Sequence, residues 1–578
     1  MLELVLTVVL VLLSLLYLLT QSFGRTWREG EPPLVKGCLP FVGKAVEFGQ
    51  DALRLLTQLQ DTHGDIFTVL IAGRYMTFVM NPLWYPAVVK HARQLDFHVF
   101  TDKVAPPTFG YPPVHSGAFP GLSDRIQSSF QLLQGDQLTH LSQSMMGNLL
   151  ATLRQHLMWP AAGGRGETEA APPDRPGLTR EMGLYALCES LMFHASILTL
   201  YGKHDRTHSP AVLEELRGKF SKFDASFPLL VGGVPIWLLV RTNALRGELI
   251  KHFDPRSMQQ WSSPSEFITT RAQLLDEYRL TDMEKGAHHF AILWASVGNT
   301  VPAAFWVMYH LLAHPEAFAA VKSEIQEVLG IKGEGLSLND DLTLRPEDLD
   351  RMIFLESAVN ESLRLSSASM NVRVSQEDFE MRLDSQRSVC LRKDDIIAMY
   401  PQSMHMDPDI YPQPEVYKFD RFVSDVSESE QGSSRWRRRT EFFKRGQRLH
   451  YFLMPFGSGG SKCPGRFFAI RELKQLVCVL LLYCRLELTH LHTHTPPKLD
   501  TGRAGLGILP PKTDIDVQYG PYCAGAGEEG RKGQKECRQQ NVSEKKELEL
   551  EEEQNEKNEG VTERNEGMKE RFVTHPEE

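Results

Sequence analysis

The stretch Phe456-Gly457-Ser458-Gly459-Gly460-Ser461-Lys462-Cys463-Pro464-Gly465 puts one cysteine in a glycine-rich turn that runs straight into an apolar helical pattern, Arg466 to Tyr483. Gly459 and Gly465 remove side chains where a flat cofactor must approach the backbone, and Pro464 suits the first turn of a helix. The first N–H groups of that helix lack intrahelical acceptors. With the positive end of the helix dipole they favour a negative sulfur at Cys463, which predicts a lowered pKa and a metal ligand. Phe456 is expected to pack flat beneath the metal plane. The competing reading is a buried cysteine acting as a small hydrophobe beside a turn.

The pattern F-x-x-G-x-x-x-C-x-G resembles the haem-binding signature of the cytochrome P-450 monooxygenases. The resemblance implies haem b (iron protoporphyrin IX), with Cys463 as the axial iron ligand and Phe456, Gly459 and Gly465 as cofactor-binding residues. It also implies that Arg373 meets a haem propionate. The family usually has Arg or His where Ser461 stands, so here one cationic partner must come from elsewhere.

Glu361-Ser362-Leu363-Arg364 lies on a helical pattern from Met352 to Leu365, and a spacing of three puts the carboxylate and guanidinium on one face. On a surface such a pair is worth little. In the family, E-x-x-R is a second signature, joined by an Arg downstream in a segment like Phe419-Asp420-Arg421-Phe422. Glu361, Arg364 and Arg421 are therefore expected to form a buried structural charge cluster. The resemblance covers about residues 33–519.

The third informative stretch is Leu293-Trp294-Ala295-Ser296-Val297-Gly298-Asn299-Thr300-Val301-Pro302. Most of the family carries A-G-x-[DE]-T here, on a long helix crossing the oxygen face of the haem, where the acid and alcohol deliver protons. Gly298 stands at the acid position and Asn299 at the threonine position. Glycine opens space, while the Asn299 amide can donate but cannot titrate. Protons are then expected through ordered water held by Asn299 and Thr300, making Gly298, Asn299 and Thr300 the catalytic candidates.

W-A-S-x-G-N-T-x-P followed by Phe305-Trp306 resembles one small branch of the family that acts on steroid or eicosanoid lipids. The implied activity is NADPH- and O2-dependent sterol monooxygenation. The alternatives are an endoperoxide isomerase, which needs neither dioxygen nor a reductase, and a non-enzymatic haem or sterol carrier. No G-x-G-x-x-G follows a strand and no flavin segment is visible, so electrons come from another protein. NADPH–cytochrome P-450 reductase is the implied partner. Residues near Phe109, 294–300, 366–372 and 505–508 are candidates to line an apolar pocket.

The remainder of the 578 residues fits a membrane-anchored enzyme. Leu4 to Leu19 is apolar apart from Thr7, Ser14 and Tyr17, and with its flanks it approaches the roughly 20 residues of a spanning helix. Glu3 replaces the basic region of a cleaved signal. Arg25, Arg28, Lys36 and Lys44 follow the run, which predicts a single pass in the endoplasmic reticulum membrane with a cytosolic catalytic domain. The expected fold class is mainly α with small β-sheets (α+β), a cytochrome P-450 fold behind an N-terminal transmembrane helix. Its domains are an anchor (1–21), a Pro/Gly-rich linker (22–45), a haem-thiolate domain (46–520) and an acidic tail (521–578) that is too polar to fold.

Within the domain, an amphipathic helix (Asp51 to Thr62) precedes a hairpin of Ile66 to Ala72 and Tyr75 to Met80. Pro106-Pro107 to Pro120 reads as a loop, and 161–177 and 424–439 read as polar inserts. The eight cysteines show no CxxC pair, which argues against a disulfide framework or structural zinc. Cys478 and Cys484 read as core, and alternating His490, His492 and His494 as a surface run. The net charge of −10 lies largely in the tail and excludes a face for nucleic acid.

Overall fold

The computed structural model describes residues 25–37, 39, 41–115, 117–158, 180–204, 210–425, 436–489 and 495–522. The expected anchor, the 161–177 insert, the centre of the 424–439 insert, His490, His492 and His494, and the tail from 523 onward lie outside those residues.

The long apolar patterns fold as helices that bury one another, and short strands gather at the edges. Helices Gly135–Met158, Leu184–Leu200, Thr300–Ala313, Ile353–Ser366 and Arg466–Tyr483 enclose the largest core. A six-stranded mixed sheet runs in the order Leu34–Val35, Ile66–Ile71, Arg74–Val79, Ile396–Met399, Asn371–Ser375, Leu95–Asp96. A three-stranded sheet joins Cys484–Leu488, Asp516–Pro521 and Arg180–Gly183. This is the expected mixture of helices and small sheets.

The expected hairpin forms, with Ala72 (φ 47°) and Gly73 (φ 75°) as its two-residue turn. Positive φ at both positions matches the twist of paired strands. One reading needs correction, and two gain detail. Pro106 and Pro107 lie in the last turn of helix His98–Phe109, which Gly110 closes at φ 99°, so the loop begins after them. Residues 25–37 of the linker are sewn to the body: Leu34 pairs with Thr68, and Arg25 meets Asp395 at 2.6 Å. The 424–439 insert starts and ends in paired strands, Val423–Asp425 and Trp436–Arg438.

The central helix begins at a capping box, in which the Thr281 N–H reaches Glu284 Oε2 at 2.7 Å and the Glu284 N–H reaches Thr281 Oγ1 at 3.4 Å. It is interrupted, as Asp282–Val297 and Thr300–Ala313, because Pro302 has no N–H for the carbonyl of Gly298 four residues earlier. Taken together, Asp282–Ala313 is long and apolar enough to cross a membrane. Yet 61 % of its apolar window is buried inside the protein, as befits a core helix.

Candidate active site

The cysteine turn is built from its own backbone. Cys463 N–H donates to Phe456 O at 2.8 Å, and Gly457 (φ 76°) and Gly459 (φ 57°) adopt the left-handed conformation that the reversal demands. Helix Arg466–Tyr483 starts from Gly465, so Pro464 precedes the first turn and is not part of it. Arg373 and Asn371, on one strand of the large sheet, hold the turn: Arg373 Nη2 donates to Ser458 O at 3.0 Å, and Asn371 Oδ1 accepts from Ser458 Oγ at 3.3 Å. Ser461 is turned inward and donates to the same Ser458 carbonyl at 3.0 Å.

The Cys463 thiol is half-buried, and burial raises its pKa, contrary to the lowering read from the helix start. The Gly465 and Arg466 N–H groups do act in the expected direction, but desolvation of the sulfur outweighs them. A positive metal charge at the sulfur is what would reverse that balance.

Behind the turn lies the charge cluster. Glu361 Oε2 accepts Arg364 Nε and its Oε1 accepts Arg421 Nε, both at 2.8 Å, with side-chain exposures of 0 %, 0 % and 5 % for Glu361, Arg364 and Arg421. Arg364 also donates to the carbonyls of His405 and Pro414, and Arg421 to those of Pro412 and Val416. His405 Nε2 then accepts the Met454 N–H at 3.1 Å, two residues before Phe456. The cluster thus ties helix Ile353–Ser366 to the approach to Cys463.

At the interruption of the central helix, Asn299 and Thr300 turn to different partners. Asn299 Oδ1 accepts the Ile508 N–H at 3.0 Å. Gly507, at φ 121°, is the only residue type that fits there, since a Cβ would stand 2.0 Å from Asn299 Oδ1. The turn is in turn paired with the 366–370 segment, Gly505 N–H to Ala368 O at 2.7 Å and Ala368 N–H to Gly507 O at 2.8 Å. Thr300 Oγ1 instead lies 2.7 Å from Ser296 O and 3.1 Å from Glu472 Oε1. The two residues therefore do not share one partner.

The segments expected to line a pocket converge here. Trp294 stacks on Phe227 with ring centroids 3.9 Å apart, and Phe109 packs against it at 5.8 Å. Trp294 Nε1 donates to Asp224 Oδ1 at 2.8 Å, and Arg503 pairs with the same carboxylate at 2.9 Å. An adjoining cleft of about 480 Å³ is lined by Phe193, Phe220, Asp224, Val297, Gly298 and Arg503 among others; it reaches Gly298 but no residue of the Cys463 turn.

Glu472 was missed in the sequence. It is 1 % exposed on helix Arg466–Tyr483, and burial pushes its carboxyl up to about 8. The available signal was the one acid of a helix whose remaining polar residues are Arg466, Arg471, Lys474 and Gln475.

The residues fit a thiolate-held haem. A Cβ on Gly465 or Gly460 would meet no atom within 4 Å, so open space lies over the turn. Beside it Asn371 Nδ2 is a buried donor with no protein partner among the described residues, and Arg373 spends one N–H on Val372 O and one on Ser458 O, leaving others for an anion. Soft sulfur, a glycine floor and unspent donors suit an iron porphyrin with carboxylate arms.

Residues 237–517 match the family model described as Cytochrome P450. The chain is 38 % identical over 505 residues to cholesterol 7-alpha-monooxygenase of Cricetulus griseus, covering 86 % of this chain and 94 % of that protein. It is 36 % identical over 510 residues to 5-beta-cholestane-3-alpha,7-alpha-diol 12-alpha-hydroxylase of Sus scrofa, covering 87 % and 95 %. To 7-alpha-hydroxycholest-4-en-3-one 12-alpha-hydroxylase of Homo sapiens it is 34 % identical over 510 residues, with the same coverage.

Proposed function

The chain belongs to the cytochrome P450 family, and on that premise we propose that it hydroxylates a sterol nucleus, placing a 12-alpha hydroxyl on 7-alpha-hydroxycholest-4-en-3-one in bile acid biosynthesis. The observation that carries the sterol reading is near full-length similarity to enzymes named for hydroxylating sterol carbons. The 12-alpha position is supported by residues that resemble that enzyme: Cys463-Pro464-Gly465-Arg466-Phe467-Phe468-Ala469, Met454-Pro455 ahead of it, and His405-Met406-Asp407-Pro408-Asp409-Ile410. Ser366 to Arg373 departs from that enzyme's usual Ala-Pro. Higher identity to the 7-alpha-monooxygenase supports 7-alpha-hydroxylation as the second reading. A prostacyclin-synthase-like isomerase is disfavoured by Thr300, whose equivalent that enzyme lacks.

Cys463 would hold the iron, with Phe456, Gly459 and Gly465 around the porphyrin and Arg373 and Asn371 offering donors to its carboxylates. Haem b with a thiolate ligand supplies the oxygen-activating chemistry, the sulfur pushing electron density that favours O–O cleavage. The protein's own residues do the positioning. Phe109, Phe227 and Trp294 form an apolar wall that binds the sterol and excludes water. Asn299 fixes the 505–508 turn against the interrupted helix, setting which sterol edge faces the site. The Asp224–Arg503 pair, with Trp294 on the same carboxylate, closes one side of the adjoining cleft.

Electrons come from NADPH through NADPH–cytochrome P450 reductase. The chain sits as a single-pass protein in the endoplasmic reticulum membrane with its catalytic domain in the cytosol. Exposed Phe41, Leu229, Trp237, Leu238 and Val240 support contact with membrane lipid. Phe41 packs over Gly73, and Arg74 reaches Gly233, so the two apolar loops adjoin.

Turnover of a sterol panel with reductase and NADPH tests the reading, with the hydroxylated carbon assigned by NMR. A product carrying oxygen at C12 supports it; oxygen at C7 moves the assignment to the second reading, and no sterol oxidation overturns both.

A further inference from the structure

Four arginines are buried among the described residues: Arg271, Arg364, Arg373 and Arg421. Arg364 and Arg421 share Glu361, and Arg373 offers donors to the haem carboxylates. Arg271, 3 % exposed on helix Glu266–Glu277, has no carboxylate within ion-pair distance among the described residues. Its Nη2 donates to Ser129 Oγ at 2.8 Å and to Ile126 O at 3.3 Å, and the ring centroids of Phe130 and Phe267 lie 5.0 and 5.5 Å from its guanidinium carbon. Neutral acceptors and ring quadrupoles do not cancel a whole charge. Nε is buried with no hydrogen bond.

Two imidazoles are left in the same condition. His288 Nε2 and His289 Nδ1, on helix Asp282–Val297, are buried without a partner among the described residues. After burial, the Arg271 charge is the largest influence holding both rings below their usual value, so the guanidinium stands close to both and each is neutral at pH 7. A neutral imidazole keeps one N–H to give. The acids that act on this group are spent elsewhere: Asp276, which His289 feels, is exposed and paired with Lys285 at 2.6 Å, and Asp102, which Tyr111 feels, meets His115 at 2.9 Å. Tyr201 gives its hydroxyl proton to His289 O at 2.7 Å.

We propose that Arg271, with His288 and His289, holds a small inorganic anion of the chloride class in the protein interior, as the counter-ion that the described side chains do not supply. Arg271 contributes the charge and its Nε–H, and the imidazoles contribute neutral N–H donors, the combination that favours an anion away from water. The depth of the site restricts it to an ion of that size. The anion would also steady the pocket wall, because Tyr111 lies flat on His288 at 4.2 Å and Phe109 is parallel to Tyr111 at 6.4 Å. The inference stands apart from the sterol reading, since it concerns the charge balance of the fold.

Haem-loaded full-length protein crystallised from sodium bromide supplies the direct probe. An anomalous-scattering peak within hydrogen-bond reach of Arg271 Nε and the two imidazoles is expected; no peak there overturns the proposal. The ion must also matter in dilute solution. When sodium gluconate is replaced stepwise by sodium chloride at constant ionic strength, the thermal unfolding midpoint should rise and saturate. Arg271→Met, which fills the space without a charge, should abolish that rise. A wild-type midpoint indifferent to chloride means an adventitious ion only and overturns the proposal, as does an equal rise in Arg271→Met. If Arg271→Met does not fold, His288→Phe decides, since it removes one N–H and keeps a ring beneath Tyr111. The chloride concentration for half the rise should then increase by about tenfold; an unchanged value overturns the proposal.

Discussion

The side-chain oxygen of Asn299 accepts the backbone N–H of Ile508 at 3.0 Å, tying the interruption of the central helix to the turn around Gly507. A residue expected from its sequence position to serve oxygen chemistry thus spends one lone pair of its amide oxygen on architecture, while its N–H groups stay available to other partners.

Asn299→Ala leaves the Ile508 N–H unpaired, a loss of about 1–3 kcal/mol where the group stays buried. Sterol affinity and product per NADPH should both fall. Asn299→Asp keeps an acceptor and should retain most of the affinity. Gly507→Ala places a methyl group where Asn299 Oδ1 stands and should reproduce the alanine variant. Spectral titration of sterol binding checks all three; unchanged affinity in Asn299→Ala would show that the tether does not shape the pocket.

Removing Glu361 leaves the guanidinium groups of Arg364 and Arg421 buried without their counter-charge. Glu361→Ala should destabilise the fold by about 3–5 kcal/mol and sharply reduce haem-loaded protein. Denaturant unfolding of the purified variant measures this. A loss below about 1 kcal/mol would mean that the two arginines are satisfied by backbone carbonyls alone.

His405 gives a pH prediction. Burial first, then the Arg364 charge, lowers its pKa from 6.5 to about 3. A depressed folded-state value contributes stability that is fully present above the unfolded pKa of about 6.5 and is lost as pH falls toward 3. His288, His289 and His310 are lowered to about 3 as well and act in the same window. Denaturation midpoints should therefore drop steeply from pH 7 to pH 5, and His405→Gln should flatten that slope. An identical slope in the variant would show that His405 is not held neutral.

How much of this could be read in advance differs by residue. Cys463, Glu361 and Arg364 were legible because local spacing fixes them, a turn into a helix start and one helical face, whereas Arg421, 60 residues from Glu361, was reached only through the family resemblance. The interruption at Gly298 was half legible, since glycine was noticed but the missing N–H of Pro302 was not. Glu472 and the Asn299–Ile508 bond were not legible, because each depends on elements 172 and 209 residues apart meeting in space. The Cys463 pKa was misread for a related reason: helix-end N–H groups are visible in a sequence, whereas desolvation appears only once neighbours are placed.

Cys463 is the half-buried thiol at a helix start, whereas Cys188, Cys478 and Cys484 are buried and pushed up to about 12 or beyond. Cys463→Ser should abolish the thiolate-type carbon monoxide spectrum of the reduced protein. Persistence of that spectrum would assign the iron to another cysteine.

The most direct measurement is the mass of the sterol product formed under isotopically heavy dioxygen with reductase and NADPH. A monooxygenase built on this site predicts one heavy oxygen atom in each hydroxylated sterol and no product when NADPH is withheld. Product free of the heavy isotope, or NADPH-independent endoperoxide rearrangement with no sterol hydroxylation, would contradict it.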